Sequence, residues 1–454
     1  MAEYDAIVIG AGQAGPSLAL RLAATGWRTA IIERARVGGT CVNVGCTPTK
    51  TLIASARVAW QAREAARWGV SVGELAVDMK NVKRRMDEVV LAFRRGLEHS
   101  LSETENCTLI RGQARFTAPG TVSVGDQTLT ARQIFLNVGA RPAHPSIDGL
   151  EGVGFLTSST VLSLDEVPAH LVIIGGSYVG LEFAQAHRRL GAQVTVIEAD
   201  ARLLSREDPE VCEAIRGALQ AEGVRVVTDA MCVAVEPCAA GVRVRTGRSD
   251  DASVVEGSHL LVAAGRTPNT GDLGLDAAGV ETDKRGYVTV DERLRTSAEG
   301  VWALGECNGR GAFTHTAYND FEIVAGALLD GEDRKVGDRL PAYALYTDPP
   351  LGRVGMTETE ARASGRNVKV GARPMTRVAR ALEKGETEGL MKIVVDADSQ
   401  EILGAAILGP GGDEAIHAVL DAMYAKMPYP ALRRAMHVHP TVAELIPTLL
   451  GELK

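Results

Sequence analysis

The sequence predicts an α/β protein in which one strand–helix–strand unit occurs twice, followed by a third region with a different pattern. The first unit opens with a short apolar run, 4–10, that ends in the glycine-rich turn GAGQAG. The pattern returns from about residue 170 as LVIIGGSYVG, a helical stretch and the apolar run VTVIEAD. After about residue 335, the linker-like run DRLPAYALYTDPP precedes a new alternation of strands and helices. A repeated βαβ unit is typical of parallel sheets covered by helices.

The composition is that of a folded, mildly acidic protein long enough for about three domains. The 454 residues include 57 acidic and 49 basic ones, giving a net charge of −8. The sequence contains no stripe of basic residues that could bind a nucleic-acid backbone, so no nucleic-acid partner is expected. The chain shows no cationic leader with an apolar core and no apolar run of membrane-spanning length. These features predict no membrane partner and a cytoplasmic location.

Apolar periodicity predicts the individual elements. A strand is expected over 4–10, a helix over 14–24 and a strand over 29–33. Residues 51–100 are predicted to form long helices, and 107–138 short strands. The runs LNVGARP and LVAAGRTPN close the first and second units in the same way, and LMKIVVDAD and EILGAAIL predict strands near the C-terminus.

The first glycine-rich turn predicts a dinucleotide site. Gly10, Gly12 and Gly15 form G-x-G-x-x-G between a predicted strand and a predicted helix, and Glu33 ends the next strand. Glycines at these positions allow a pyrophosphate to approach the helix N-terminus, and the carboxylate can accept hydrogen bonds from a ribose.

The second unit predicts another such site with one departure. Gly175 and Gly180 keep their places, Ser177 replaces the middle glycine, and Glu198 repeats the spacing of the first acid. A carboxylate there favours a free 2′-hydroxyl over a 2′-phosphate, so NADH is expected. Two arginines near this position keep NADPH open: Arg202 and Arg206.

Cys41 and Cys46 lie in GGTCVNVGCTPTK with four residues between them, directly after the first unit. Two thiols this close can close a small disulfide loop and pass two electrons onward. In a reducing compartment, such a pair indicates redox catalysis more than structural stapling. The chain has seven cysteines but no CxxC pair or His–Cys cluster, so no metal centre is predicted.

With these motifs, the chain resembles the FAD-containing pyridine nucleotide-disulfide oxidoreductases, a family that includes dihydrolipoamide dehydrogenase, glutathione reductase and the mercuric reductases. The resemblance implies an electron path from nicotinamide through FAD to a disulfide. It implies that Cys46 lies against the flavin as the charge-transfer thiolate and that Cys41 attacks the substrate. It also implies that Lys50 lies near the flavin and pairs with Glu182.

The resemblance extends to further cofactor contacts. Tyr178 corresponds to the aromatic gate that moves when nicotinamide docks, and Glu306 takes the place of the usual aspartate that binds the ribityl chain. Thr314 falls at the start of a helix that would face the flavin and stabilise negative charge on it. His315 has no assigned role. The remaining expected cofactor contacts are Gly39, Thr40, Ala114, Gly139 and Gly265.

Near the C-terminus, HVHPTVAE resembles the acid/base pair of this family. The resemblance makes His439 the base and Glu444 its partner, with His437 structural. Chemistry requires such a group, because the thiolate that leaves a disulfide must be protonated. In the family the pair reaches the redox loop of the other subunit, which implies a homodimer, and the sharp turn predicts a cis bond at His439–Pro440.

The predicted fold is therefore α/β, with two Rossmann-like dinucleotide-binding domains, for FAD and NAD(P), plus a C-terminal α+β dimerisation domain. The predicted boundaries are 1–150 for the first part of the FAD domain with the redox pair, 151–270 for the NAD(P) domain, 271–335 for the second part of the FAD domain, and 336–454 for the dimerisation domain with the His–Glu pair.

The substrate is the least constrained prediction. The His–Glu pair favours a small-molecule disulfide, whereas mercuric reductases tend to lack that pair and to carry a C-terminal cysteine pair, and no cysteine follows Cys307. A metal-ion reductase and a dihydrolipoamide dehydrogenase working in the NAD-reducing direction remain alternatives. A non-catalytic flavoprotein and an NADH oxidase or diaphorase are further hypotheses. The non-catalytic flavoprotein is disfavoured because every expected catalytic residue is present.

Overall fold

The computed structural model describes residues 2–247 and 253–454. The first region is built on a seven-stranded sheet with helices against it. Its elements are β1 (Ala2–Ile9), α1 (Ala14–Ala24), β2 (Thr29–Glu33), α2 (Gly39–Val44), α3 (Cys46–Glu64), α4 (Met79–Glu103), β3 (Cys107–Arg111), β4 (Ala114–Ala118), β5 (Thr121–Val124), β6 (Gln127–Leu136) and β7 (Ala140–Pro142).

The sheet of this region runs in the order β3-β2-β1-β6-β5-β4. The pairs among β3, β2, β1 and β6 are parallel, and β4 and β5 add an antiparallel edge. Ile7 and Ile9 of β1 belong to one apolar cluster, and Ala6 and Val8 to another on the opposite face. The strand is thus buried on both faces, which is why it is a continuous apolar run.

The second region contains an all-parallel sheet in the order β11-β10-β9-β15-β8 and a three-stranded antiparallel sheet. Its elements are β8 (Phe155–Thr157), β9 (His170–Ile174), α5 (Tyr178–Leu190), β10 (Gln193–Ile197), α6 (Pro209–Ala221), β11 (Arg225–Val227), β12 (Cys232–Cys238), β13 (Gly241–Thr246), β14 (Ser253–Gly257), β15 (His259–Val262) and β16 (Arg266–Pro268).

The runs that close the two units meet in space. β7 and β16 pair antiparallel, with Arg141 opposite Thr267. The chain then returns to the first sheet, where β17 (Val301–Ala303) pairs parallel with β6, and α7 (Thr314–Ala325) packs on α1 through the same apolar cluster. The two nucleotide-binding units are therefore joined by a two-stranded ribbon.

The C-terminal region is a five-stranded antiparallel sheet, β18-β19-β22-β21-β20, with short helices. Its elements are β18 (Ala342–Leu345), β19 (Leu351–Gly355), α8 (Glu358–Ala363), β20 (Val368–Pro374), α9 (Ala379–Lys384), β21 (Leu390–Asp396), β22 (Ile402–Leu408), α10 (Gly412–Ala415), α11 (His417–Tyr424), α12 (Tyr429–Leu432) and α13 (Leu445–Gly451).

Most elements lie where the sequence places them, with two differences. The linker-like interpretation of DRLPAYALYTDPP is wrong in part, because its residues 342–345 form β18. Prolines flank this strand, but its backbone groups form hydrogen bonds with β19. The long helices predicted over 51–100 are present as α3 and α4, but α3 begins earlier, at Cys46, and the chain leaves helical geometry at Gly69, where φ is +74°. Within the described residues, no helix combines the length and apolarity needed to cross a membrane.

Candidate active site

A cavity of about 860 Å³ lies between the first strand–helix–strand unit, residues 39–50, which carry the two cysteines and are called the redox segment, and α7. This volume is within the range of about 300–1,000 Å³ common for small-molecule and cofactor sites. The predicted residues of the first unit that line it are Gly10, Gly12, Glu33, Ala114 and Gly139. Those of the redox segment are Gly39, Thr40, Cys41, Cys46 and Lys50. Those from later in the chain are Tyr178, Glu182, Glu306 and Thr314.

The two glycine-rich turns have the same local geometry. A Cβ added to Gly15 would lie 2.2 Å from the carbonyl oxygen of Gly10. A Cβ added to Gly180 would lie 2.0 Å from the carbonyl oxygen of Gly175. Only glycine permits this close packing of strand end against helix start, which leaves the helix N-terminus open to a phosphate.

The acids that follow the turns are also held alike. Glu33 accepts hydrogen bonds from the backbone N–H of Ala11 at 2.8 Å and of Ala35 at 2.7 Å. Glu198 accepts from the N–H of Gly176 at 2.5 Å and of Asp200 at 2.9 Å. Each carboxylate is fixed beside its turn with lone pairs left for a ligand. The second turn lies outside the 860 Å³ cavity, so the four residues Gly175, Ser177, Gly180 and Glu198 form a separate candidate site.

Ser177 caps α5 without a hydrogen bond from its side chain to the helix, and it is exposed. The hydroxyl that replaces the middle glycine is therefore not used to cap the helix. Gly265 precedes β16, where its carbonyl accepts a hydrogen bond from Ala143 at 3.0 Å; it does not line the cavity.

The two cysteines lie on consecutive helices. Cys41 is on α2, and Cys46 is the first residue of α3; Gly45 joins them, and a Cβ there would lie 2.8 Å from the Thr40 carbonyl oxygen. Both cysteines are free thiols in the structure. Cys46 faces the cavity, and its Sγ lies 3.2 Å from Oγ1 of Thr314.

The environment separates the two thiols electrostatically. A hydrogen bond with Cys41 lowers the pKa of Cys46 to about 6, and the Thr314 hydroxyl and the Lys50 charge act in the same direction against burial. The pKa of Cys41 is raised, chiefly by the same hydrogen bond with Cys46 and by burial. When both are reduced, the negative charge therefore resides on Cys46, at the start of a helix that also favours a thiolate.

The predicted Lys50–Glu182 pair is present. Lys50 Nζ lies 2.7 Å from Glu182 Oε2, and Glu182 is nearly buried on α5. The other oxygen of Glu182 accepts the backbone N–H of Tyr346 at 3.0 Å, and Lys50 Nζ lies 4.5 Å from the centre of the Tyr346 ring. The ammonium is thus held in a fixed place at the wall of the cavity beside Cys46.

Glu306 lines the cavity and forms an ion pair with Arg266 of β16. The same arginine donates to the Ala140 carbonyl at 2.7 Å, so it joins the paired ribbon to the cavity wall. His315 stacks on Phe313 with ring centres 5.4 Å apart, and its Nε2 lies 2.7 Å from the Ala342 carbonyl oxygen. Burial lowers the pKa of His315.

The predicted acid/base pair lies on the surface, away from the cavity. His439 Nδ1 is 2.9 Å from Glu444 Oε2, and the His439 side chain is 73% exposed. The predicted cis bond at His439–Pro440 is confirmed. The geometry orients the ring through Nδ1 and leaves Nε2 directed at whatever approaches this face.

Three residues of the site were not singled out by sequence reasoning: Asn137, Arg266 and Tyr346. Asn137 Oδ1 accepts the N–H of Gly15 at 2.9 Å, and its Nδ2 donates to the Leu304 carbonyl at 3.0 Å, so it joins the glycine turn to the segment after β17. A polar residue directly after the apolar run of β6 was the available signal. Arg266 and Tyr346 offered none, since their partners are far away in sequence.

The residues of the cavity fit FAD. A glycine turn with an adjacent carboxylate suits the pyrophosphate and ribose of a dinucleotide. Cys46, Lys50 and the N-terminus of α7 provide a thiol, a cation and a positive helix end for an isoalloxazine ring. Two dinucleotide units, one of which adjoins a dithiol, define the class of flavoproteins that move electrons between nicotinamide and sulfur.

Comparison with known proteins agrees with this class. The family described as pyridine nucleotide-disulphide oxidoreductase matches residues 4–320, and the dimerisation domain of that family matches residues 341–450. The chain belongs to this family. It is an oxidoreductase of the flavoprotein disulfide reductase class, which acts on sulfur groups and typically moves electrons from NAD(P)H through FAD to a disulfide.

Three relatives align with this chain over most of its length and most of their own. The chain is 36% identical over 462 residues to the "probable pyridine nucleotide-disulfide oxidoreductase RclA" of Escherichia coli (strain K12), covering 100% of both. It is 33% identical to mercuric reductase of Lysinibacillus sphaericus, covering 97% of this chain and 81% of the relative. It is 36% identical to dihydrolipoyl dehydrogenase of Thermus scotoductus, covering 98% and 96%.

Among solved structures, the HOCl-induced flavoprotein disulfide reductase RclA from Escherichia coli superposes with a TM-score of 0.90, at 35% identity and with 99% of each chain covered. A structure of the same protein as a Cu(II) complex matches with the same TM-score, identity and coverage.

Proposed function

We propose that the protein passes electrons from NADH through FAD and the Cys41–Cys46 pair to a small-molecule disulfide. The observation that supports this most directly is the placement of Cys46. It lies at the start of α3, 3.2 Å from Thr314 and in one cavity with Lys50 and the first glycine turn. FAD, when bound in this cavity, supplies the exchange between two-electron hydride chemistry and thiol chemistry.

The two thiols then have different tasks. Cys41 attacks one sulfur of the disulfide; that S–S bond breaks, and one substrate thiolate leaves and takes a proton. Cys46 attacks the sulfur of Cys41 in the mixed disulfide, which releases the second substrate thiol and closes the Cys41–Cys46 disulfide. Two electrons from NADH, delivered as hydride, restore the dithiol, so NADH and one proton are consumed per disulfide.

The raised pKa of Cys41 makes a base necessary for its attack. We assign that role to the His439–Glu444 pair. Because the exposed imidazole is not part of the cavity of its own chain, it serves the redox pair of a second copy in a homodimer. The dimerisation-domain match over 341–450 supports this assignment.

Several finer assignments belong to the same proposal. NADH is preferred over NADPH because Glu198, fixed by the Gly176 N–H, would repel a 2′-phosphate. Tyr178 is the gate at the nicotinamide face of the cavity. The domain boundaries are those given above, and the location is cytoplasmic, where reduced nicotinamide is replenished.

A second candidate function is reduction of a soft metal ion as substrate. Mercuric reductases are among the relatives, and one solved relative is a Cu(II) complex. Cys41 and Cys46 could bind such an ion through sulfur. In the described chain, no group of three or more His, Cys, Asp or Glu side chains could hold a metal, so the two thiols would act alone.

The test is a substrate screen of the FAD-loaded protein with NADH and NADPH against oxidised lipoamide, oxidised glutathione, other small disulfides, Hg(II) and Cu(II). We expect turnover with a disulfide in the wild type. Cys41→Ser should abolish it while NADH still bleaches the flavin, and Cys107→Ser, at a half-buried thiol outside the cavity, should retain it. Reduction of Hg(II) or Cu(II) with no disulfide turned over would establish the second candidate instead.

A further inference from the structure

Two phenol groups from different regions of the fold converge on one buried carboxylate, Glu207. Tyr178, the first residue of α5, donates to Glu207 Oε1 at 3.3 Å. Tyr343 of β18 donates to the same oxygen at 2.6 Å. Glu207 is 4% exposed, and it lies in the loop between β10 and α6. Sequence reasoning singled out neither Glu207 nor Tyr343.

The carboxylate is held from the C-terminal sheet without Tyr178. Tyr343 and Arg353 are opposite each other on β18 and β19, so both reach Glu207 from one ladder. Arg353 is 1% exposed, and its Nε lies 3.8 Å from Glu207 Oε2. Among the described residues, Oε2 has no hydrogen-bond partner, which leaves the buried arginine as its compensating charge.

The loop that carries Glu207 is also tied to the second glycine turn. The N–H of Glu207 donates to the Leu204 carbonyl at 2.7 Å, and the N–H of Leu204 donates to the Gly176 carbonyl at 3.1 Å. Leu204 adopts a positive φ of 50°, which a leucine adopts only when its surroundings hold it there. The carboxylate, the turn and Tyr178 therefore form one connected unit.

The Tyr178 ring rests on residues from outside its own unit. Its centre lies 6.2 Å from that of Phe313 and 5.4 Å from that of Tyr343, edge-on to both. Phe313 and Tyr343 are stacked on each other at 5.6 Å. Phe313 immediately precedes Thr314, the residue in contact with Cys46. Burial and the charge of Glu207 raise the pKa of both phenols, so each stays a hydrogen-bond donor.

We propose that Glu207 is a positioning residue that latches the Tyr178 ring over the cavity. The short bond from Tyr343 and the charge of Arg353 keep the carboxylate in place. The longer bond from Tyr178 is the one that breaks when a nicotinamide displaces the ring. Breaking the Tyr178–Glu207 hydrogen bond costs free energy, and this cost lowers the affinity for the nicotinamide nucleotide. The inference rests on the proposed function, in which Tyr178 is the gate.

The test is the affinity of the FAD-loaded protein for NAD⁺ measured by titration calorimetry. Tyr178→Phe keeps the ring and removes the bond, so NAD⁺ should bind more tightly, by twofold to about tenfold, the equivalent of one ordinary hydrogen bond. A general structural defect would weaken binding, so a gain separates latching from a packing role. A change of less than twofold, or a loss, would overturn the proposal.

Tyr343→Phe is the matched control, because it removes the other phenol bond to the same oxygen and keeps the aromatic stack. It should not tighten NAD⁺ binding; equal tightening in both variants would contradict the latch. Glu207→Gln should tighten NAD⁺ binding in the wild-type background and have no effect in the Tyr178→Phe background. Equal effects in both backgrounds would overturn the coupling, and if Glu207→Gln does not fold, the two tyrosine variants decide.

Failure of the proposed function is distinguishable from failure of the latch. The former is seen when NADH does not bleach the wild-type flavin or when Cys41→Ser still reduces disulfides. The latter is seen in the NAD⁺ affinities alone.

Discussion

Thr314 Oγ1 lies 3.2 Å from Cys46 Sγ, although 268 residues separate them in the chain. Each residue is the first of its helix, α7 and α3. Two positive helix ends therefore meet at one sulfur, where Lys50 adds a full charge. The hydrogen bond with Cys41 is the main cause of the lowered pKa of Cys46, and the Thr314 hydroxyl and the Lys50 charge add to it.

Thr314→Val should raise the pKa of Cys46 from its value of about 6. The main lowering contact, the hydrogen bond with Cys41, remains, but the hydroxyl that also stabilises the thiolate is lost. One pKa unit is about 1.4 kcal/mol, close to the value of a hydrogen bond to a charged group, so a rise of about one unit is expected. The measurement is a pH titration of the thiolate-to-flavin absorbance in the two-electron-reduced protein.

The sign of this effect is definite. The band is lost as pH falls through the pKa of Cys46, so in Thr314→Val its midpoint moves to higher pH. Thr314→Ser keeps a hydroxyl and should titrate as the wild type does. If Thr314→Val and the wild type had identical midpoints, Thr314 would not contribute to stabilising the Cys46 thiolate.

His439→Ala should slow thiol–disulfide turnover by about a hundredfold, the usual scale for loss of a general acid/base. The measurement is steady-state turnover with the disulfide identified in the screen. His437→Ala is the matched control, since among the described residues His437 has a hydrogen-bond contact only with the Ala435 carbonyl, at 3.4 Å, and no carboxylate there orients it. Comparable losses in the two variants would show that the segment, and not the His439–Glu444 pair, is responsible.

Glu198→Ala should weaken the preference for NADH over NADPH. The carboxylate that would repel a 2′-phosphate is removed, and the arginines at 202 and 206 are the nearest cations along the chain. The measurement is the ratio of kcat/KM for the two nucleotides. An unchanged ratio would mean that Glu198 serves only to hold the turn through the Gly176 N–H.

Lys392→Ala should destabilise the whole protein. The Lys392 side chain is 2% exposed, and its Nζ lies 2.7 Å from Glu358 and 3.4 Å from Asp208, so it joins the C-terminal sheet to α6 and α8. Removing it leaves the buried Asp208 carboxylate with Arg353, 3.4 Å away, as its remaining cation, and breaking a buried ion pair costs up to about 3–5 kcal/mol. A urea unfolding curve should show a clearly lower midpoint, whereas Lys369→Ala, an exposed lysine on the neighbouring strand β20, should unfold as the wild type does.

Much of the site could be predicted because many of its functional residues belong to short sequence motifs. The G-x-G-x-x-G turn, its following acid and the two cysteines each depend on spacing within one strand–turn–helix segment. α1 and β2 occupy the residues that periodicity predicts, 14–24 and 29–33. The Lys50–Glu182 pair, 132 residues apart, was reached through family resemblance and not from any local pattern.

The sequence by itself determined the two glycine-rich strand–turn–helix units and the close spacing of the two cysteines, since local backbone geometry and nearest-neighbour spacing specify them. The acid/base role of His439 and Glu444 was inferred from family resemblance and stays a prediction. Only the tertiary structure decided which side chains tune the two units and the cysteines. Thr314 at Cys46, Asn137 at the first glycine turn, and Tyr343 with Arg353 at Glu207 are contacts between segments far apart in the chain. Packing of buried faces creates such contacts, and no periodicity or spacing within either segment encodes them.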